Sequence, residues 1–207
     1  GWHMDTVYPR LPELWSELSL KKGASILVPF CGKTLDMNWL VQKGYHVIGI
    51  DAIKKGLLEW MGAYPKSFSK ESYRDYTVYR SEHIELWHGN FFSLTPCDIG
   101  AVDVVYDKAA MIALPKEKRP AYAKKVLDLC DEHTQIILQT FEYKQDEMSG
   151  PPFSIPEKEV QSFYGDQFKV KLLHEQSKLD ELNKFQQRGL STYLTEKVYH
   201  LIPLNKK

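Results

Sequence analysis

Hydrophobic residues in this chain gather in short unbroken runs, separated by polar segments and by stretches with helical spacing. Residues 25–28, 47–51, 84–88, 103–106 and 134–140 each read as a strand, numbered one to five in that order. Runs that do not alternate predict strands covered on both faces, as in a parallel sheet. Between them, Met37, Leu40 and Val41 fall on one helical face. Thr34 is placed to cap that helix, Asp36 sits in its first turn and Gly44 ends it. Residues 53–63 and Pro115 to about Cys130 predict further helices, the second with Tyr122, Val126 and Leu129 on one face. The polar stretch 64–79, rich in Ser, Lys and Tyr, reads as a loop.

The pattern changes after residue 140. Residues 145–156 form a loop rich in Gly and Pro, and 158–164 a short helix. Residues 168–174 and 198–204 read as strands with no full helix between them, which implies an antiparallel edge. The pattern predicts one α/β domain over 1–207. Its sheet is expected to be mostly parallel and seven-stranded, with an antiparallel terminal hairpin.

The densest signal is Ile26-Leu27-Val28-Pro29-Phe30-Cys31-Gly32-Lys33-Thr34-Leu35-Asp36-Met37, followed by His46-Val47-Ile48-Gly49-Ile50-Asp51. A strand ends in a tight glycine turn, a helix opens, and a second strand ends on a carboxylate. That is the architecture of a nucleoside-cofactor site. Gly32 lets the backbone approach the ligand, and Asp51, 19 positions on, can accept two hydrogen bonds from a ribose diol. The alternative role for Asp51 is an exposed cap for the helix at 53–63. The turn has one glycine and is not G-x-G-x-x-G, so it suits a cofactor without phosphates. S-adenosylmethionine (SAM) is the common one. Phe30 can flank the cofactor. After the third strand, Asn90 can read an adenine edge while Phe91 packs on its face; otherwise both belong to an ordinary turn after Gly89. Cys31 has no His or acid nearby in sequence and reads as a small buried filler.

Composition narrows the function classes. The 207 residues carry 27 Lys plus Arg against 27 Asp plus Glu, which argues against a nucleic-acid or membrane surface. Twelve Tyr and five Trp suit flat heteroaromatic ligands as well as a core. Cys31, Cys97 and Cys130 are odd in number and far apart, which predicts a reduced, cytoplasmic protein. No apolar stretch approaches membrane-span length, and no signal peptide is visible. The opening Gly1-Trp2-His3-Met4 is abrupt and reads either as a tag remnant ahead of an initiator Met4 or, as the family resemblance below favours, as native sequence with an N-terminal piece absent. Histidines 3, 46, 83, 88, 133, 174 and 200 never fall in H-x-H or H-x-x-x-H, so no metal site is expected. Neither a phosphate-binding G-x-x-x-x-G-K-[ST] nor a G-x-S-x-G is present.

Val28-Pro29-Phe30-Cys31-Gly32-Lys33, Asp36-Met37, Trp39-Leu40, Gly44 and Val47-Ile48-Gly49 resemble the thiopurine S-methyltransferase family. The resemblance continues through Gly150-Pro151-Pro152-Phe153 and Ile155-Pro156. It also covers Gly1-Trp2-His3, similar to a Gly-Phe-His near the family's N-terminus. It implies a Rossmann-like class I SAM methyltransferase, with S-adenosyl-L-homocysteine as product and a small thiol as acceptor. On that basis Trp2, Phe30, Gly32, Asp51, Asn90, Phe91 and Lys108 belong to the cofactor site. Trp2, Lys108, Pro152 and Arg188 belong to the substrate side. The family usually has Glu at 51 and Arg at 108. The expected reaction is an in-line attack of the acceptor sulfur on the donor methyl, with Lys108 and Arg188 positioning an anionic thiolate. A monomer is expected. Methylation of other soft nucleophiles (small thiols, selenium or tellurium species, halide) stays open, as does a SAM-binding module without catalysis.

Overall fold

Two compact units divide the chain, the first ending at Val105 and the second beginning at Tyr106. The structure is a computed structural model that describes residues 5–204. In the first unit the elements run α1 (Leu11–Ser16), β1 (Ser25–Pro29), α2 (Asp36–Gln42), β2 (His46–Asp51) and α3 (Lys54–Ala63). They continue with β3 (Ser69–Tyr73), β4 (Tyr76–Ser81), β5 (Ile84–His88) and α4 (Pro96–Ile99). Strand β6 (Val104–Asp107) runs across the boundary.

The unbroken apolar runs become parallel strands, as expected. β1 pairs with β2 from Ser25↔His46 to Pro29↔Ile50, and β2 with β5 from Val47↔Ile84 to Asp51↔His88. Ile26, Leu27, Val47, Ile50, Ile84 and Leu86 are fully buried. Covering both faces of a strand this way is what selects a run without alternation. β1 also pairs in parallel with the start of β6, at Ile26↔Val104 and Leu27↔Val105.

The loop expected over 64–79 is a correction. It contains β3 and β4, paired antiparallel from Ser69↔Arg80 to Tyr73↔Tyr76, and β4 pairs antiparallel with β5. Arg74 and Asp75 make the two-residue turn, with Arg74 at φ 51°. All five residues of β3 are exposed. Pairing with β4 alone orders it, so no hydrophobic period announces it. This hairpin takes the seven expected strands to nine among the described residues.

Thr34 stands one residue before the N-cap of α2, and its hydroxyl accepts the Asp36 N–H at a long 3.4 Å. The N-cap is Leu35, with no side-chain capping bond. Asp36 is in the first turn as expected, but it is fully buried and its carboxylate accepts the Tyr8 N–H at 2.7 Å. The chain at 5–10 is tied down there.

The second unit holds the end of β6, then α5 (Arg119–Leu129), β7 (Gln135–Glu142), α6 (Glu157–Tyr164), β8 (Phe168–Ser177), α7 (Asn183–Gln186) and β9 (Thr195–Pro203). The helix expected from Pro115 starts as a 3-10 turn at Lys116–Lys118 and becomes α5 at Arg119. Tyr122, Val126 and Leu129 form its buried face. The antiparallel terminal pair is present as expected. β9 lies between β7 and β8, paired antiparallel to both.

Candidate active site

In the first unit the carboxyl ends of β1, β2 and β5 carry Phe30, Gly32, Asp51, Asn90 and Phe91, five of the residues expected on the donor side. Open α/β sheets bind ligands at these ends. β1 runs into a turn in which Phe30 has φ 49° and Gly32 φ 51°. Gly32 takes this left-handed conformation without a Cβ penalty, whereas Phe30 holds it at a cost of the order of 1–3 kcal/mol. The Cys31 N–H donates to the Ile50 carbonyl at 3.1 Å, which keeps the turn against β2.

Asp51 joins the parts. Its Oδ2 accepts the Gly32 N–H at 2.8 Å, and its Oδ1 accepts the Ile53 N–H at 2.7 Å. The carboxylate therefore does two jobs: it holds the turn and opens α3. The Asp51 carbonyl accepts the Gly89 N–H at 3.1 Å, which leads to the next loop. There Asn90 Oδ1 accepts the Phe92 N–H at 3.0 Å, and Asn90 Nδ2 donates to Ser93 Oγ at 3.3 Å. Phe91 is buried and meets the Phe30 ring edge-on, with centroids 5.7 Å apart at 89°. Phe30, Gly32, Asp51, Asn90 and Phe91 thus stand along one chain of contacts.

Tyr76, on the unexpected hairpin, donates its hydroxyl to the Asn90 carbonyl at 3.0 Å. No hydrophobic pattern marks it, because it lies in the polar stretch 64–79. Cys31 is buried, and burial first, then the Asp51 charge, pushes its thiol well above the ordinary range. It stays protonated, as a filler and not a nucleophile. A cavity of about 260 Å³ opens beside α2 and α3, lined in part by Lys33, Glu59 and Trp60. None of the five donor-side residues lines it.

In the second unit Lys108 directly follows β6 and is partly buried. The neighbouring Asp107 is buried and accepts three bonds: Tyr122 Oη at 2.7 Å and the N–H groups of Ala110 and Met111 at 3.0 and 3.2 Å. These fix the turn that carries Lys108. Burial outweighs those bonds and raises the Asp107 carboxyl to about 6.

Arg188 reaches the segment that carries Pro152. Arg188 Nη1 donates to the Pro151 carbonyl at 2.9 Å, and Nη2 to that of Ser149. Pro152 is buried, and its carbonyl accepts the Tyr143 hydroxyl at 2.5 Å. Phe153 packs under the Arg119 guanidinium, 5.8 Å from its ring centre. Arg119 is buried and pairs with both oxygens of Glu159 at 2.9 and 3.1 Å. The sequence does not announce Arg119 and Glu159, since a partner 40 positions away leaves no local pattern.

Trp2 lies outside the described residues. Among the described residues, no three of His, Cys, Asp and Glu gather to hold a metal ion, and no helix is long and apolar enough to cross a membrane.

Comparison with known proteins follows the same lines. The family model described as Thiopurine S-methyltransferase matches residues 1–203. A thiopurine S-methyltransferase of Pseudomonas fluorescens is 37% identical over 204 residues, spanning 97% of this chain and 92% of that protein. A probable thiopurine S-methyltransferase of Yarrowia lipolytica is 35% identical over 204 residues, with shares of 97% and 92%. The fold is shared more widely. The 1,6-didemethyltoxoflavin-N1-methyltransferase of Burkholderia thailandensis, solved with S-adenosylhomocysteine, matches with a TM-score of 0.60 at 12% identity, over 94% of this chain and 77% of that one. The magnesium protoporphyrin IX methyltransferase of Synechocystis, solved with SAM, matches at 0.61 and 16% identity, over 92% and 74%.

Proposed function

The chain belongs to the thiopurine S-methyltransferase family and is a methyltransferase that uses SAM, and we propose that it methylates the sulfur of a small aromatic or heterocyclic thiol. When bound, SAM supplies an electrophilic methyl group on a sulfonium.

The observation that carries the donor-side assignment is the Asp51 carboxylate. Each of its oxygens holds one backbone N–H, and a carboxylate oxygen can accept about two bonds. Two ribose hydroxyls can therefore be accepted without releasing Gly32 or Ile53. Phe30 and Phe91 offer rings to the adenine, and Asn90 offers an amide. Trp2 belongs to the same proposal on sequence grounds.

On the acceptor side, Lys108 and Arg188 bring two cations that favour a thiolate over a thiol. Pro152 belongs to the wall that Arg188 holds. An aromatic thiol ionises readily, so a strong general base is not needed. The work of the protein is positioning and exclusion of water, which supplies much of the acceleration in transfers of this kind. The buried, protonated Cys31 does not compete for the methyl group.

Lys108 favours a second reading. A lysine is a point charge without the planar fork of arginine, and that suits small soft nucleophiles: small thiols, selenium or tellurium species, or halide. A single methyltransferase domain, acting as a cytoplasmic monomer on small molecules without nucleic-acid or membrane partners, completes the proposal. The even charge balance supports it.

Calorimetry with SAM, S-adenosylhomocysteine and NAD, followed by a methyl-transfer screen over thiols and the rival nucleophiles, tests this reading. SAM binding with turnover of aromatic thiols is expected. Turnover confined to aliphatic thiols, selenium, tellurium or halide acceptors would move the assignment to the second reading.

A further inference from the structure

Two loops of the second unit are fastened to each other by charges acting in opposite directions. From one side, Arg188 reaches the carbonyls of Ser149 and Pro151. From the other, the Glu147 carboxylate accepts four bonds from a two-residue stretch. Its Oε2 takes the Ser191 N–H at 2.8 Å, the Ser191 hydroxyl at 3.3 Å and the Thr192 N–H at 3.0 Å, and its Oε1 takes the Thr192 hydroxyl at 2.7 Å. These bonds, the Thr192 hydroxyl foremost, hold the Glu147 carboxyl down at about 2, so it is ionised under all ordinary conditions. Gly189 lies between the two fastenings with φ 108°, and a Cβ there would come 2.6 Å from the Glu147 carbonyl oxygen. Only glycine fits that approach.

One of the loops is anchored. Phe185, at α7, is buried and meets the ring of Phe141 on β7 edge-on, with centroids 6.2 Å apart. The Arg188 guanidinium lies over the same Phe185 ring at 5.9 Å. The anchored segment 185–192 therefore holds the segment 147–152, which includes Pro152. Exposed loops lose order unless they are tied to something rigid, and a binding wall works only when its geometry is fixed beforehand.

We propose that Glu147 is a positioning residue for the methyl acceptor: it latches 191–192 to 147, so that Arg188 and Pro152 are presented as one fixed wall. The proposal rests on the thiol-methyltransferase reading above. It adds a residue that touches neither donor nor acceptor and that sets acceptor recognition through the loop it holds.

The test uses the full chain with Glu147→Ala and Glu147→Gln. Three quantities are measured: amide hydrogen exchange at Ser149, Gly150 and Phe153, the SAM dissociation constant, and kcat and KM for an aromatic thiol. In Glu147→Ala, exchange at those amides and at 190–192 should accelerate together, by about tenfold or more. Acceptor KM should rise by roughly tenfold to a hundredfold, while SAM affinity stays within about twofold. Glu147→Gln, which keeps the shape and one acceptor oxygen, should fall between the wild type and Glu147→Ala in both readouts. Unchanged exchange in a folded Glu147→Ala overturns the latch. Loss of SAM affinity in step with acceptor KM also overturns it, because that pattern means general loosening. If the wild type binds SAM but methylates no thiol, the substrate reading fails separately, and the exchange result still decides whether the latch exists.

Discussion

The Asp51 carboxylate accepts the Gly32 N–H at 2.8 Å, which joins the end of β2 to the turn after β1 across 19 positions of sequence. One residue thus shapes the turn and is the one proposed to accept the ribose hydroxyls. Asp51→Ala should weaken SAM binding by about 1.5–3 kcal/mol, the usual worth of hydrogen bonds to a charged group. It should also lower Tm, since two backbone N–H groups lose their acceptor. Calorimetry and thermal unfolding on the same sample separate the two effects. A Tm drop with undiminished SAM affinity would reduce Asp51 to a turn tether.

Asp107 should reverse the usual acid dependence of a carboxylate. Its folded value is raised from 3.8 to about 6, so the folded protein binds that proton more tightly than the unfolded chain. The stability from this group is fully present below about pH 4 and is lost as pH rises through about 6. A shift of that size is worth on the order of 3 kcal/mol. The stability difference between wild type and Asp107→Asn, read by urea unfolding, should therefore move in favour of the wild type as pH falls from about 7 to about 4. A difference that does not change with pH would contradict the raised value.

The Arg119–Glu159 pair should be costly to break and cheap to replace. Arg119 is 2% exposed and donates to both Glu159 oxygens and, through Nε, to the Leu114 carbonyl at 3.0 Å. Glu159→Ala strands a buried guanidinium and should destabilise the protein by about 3–5 kcal/mol, whereas Arg119→Met with Glu159→Leu should recover much of that loss. Denaturant titration of the three proteins checks both statements. A double variant as unstable as Glu159→Ala would show that the charge itself is not the problem.

Lys108→Arg should raise activity on heteroaromatic thiols relative to small aliphatic ones, because a guanidinium adds a planar, forked contact. The ratio of kcat/KM for one thiol of each kind, in wild type and variant, is the measurement. A constant ratio would mean that position 108 does not select the acceptor.

The stretch that carries the proposed donor side was legible in the sequence as structure because its parts are local. A strand, the single Gly32, a helix and Asp51 lie within one β-α-β stretch, and each leaves a hydrophobic or turn signature. Strand β3 left none: its five side chains all face water, and only hydrogen bonding to β4 makes it a strand. Tyr76 was hidden with it. Thr34 had the right chemistry for a cap, and its hydroxyl does accept the Asp36 N–H, although only at 3.4 Å and from one residue before the N-cap position. Arg119 with Glu159 and Glu147 with Thr192 are separated by 40 and 45 positions, and such contacts belong to the fold rather than to any window of sequence.

The placement of β9 between β7 and β8 has a consequence for the order of events on the ribosome. β8 emerges before the strand that will pair with it, and it must wait without a ladder partner until residues 195–203 are made. Until then β7 and β8 both offer open backbone edges to other chains. Lys169 and Lys171, exposed on β8, put charge on that edge and discourage such pairing. Closing the second unit therefore waits for residues 195–203, and this nine-residue strand completes two ladders in one insertion.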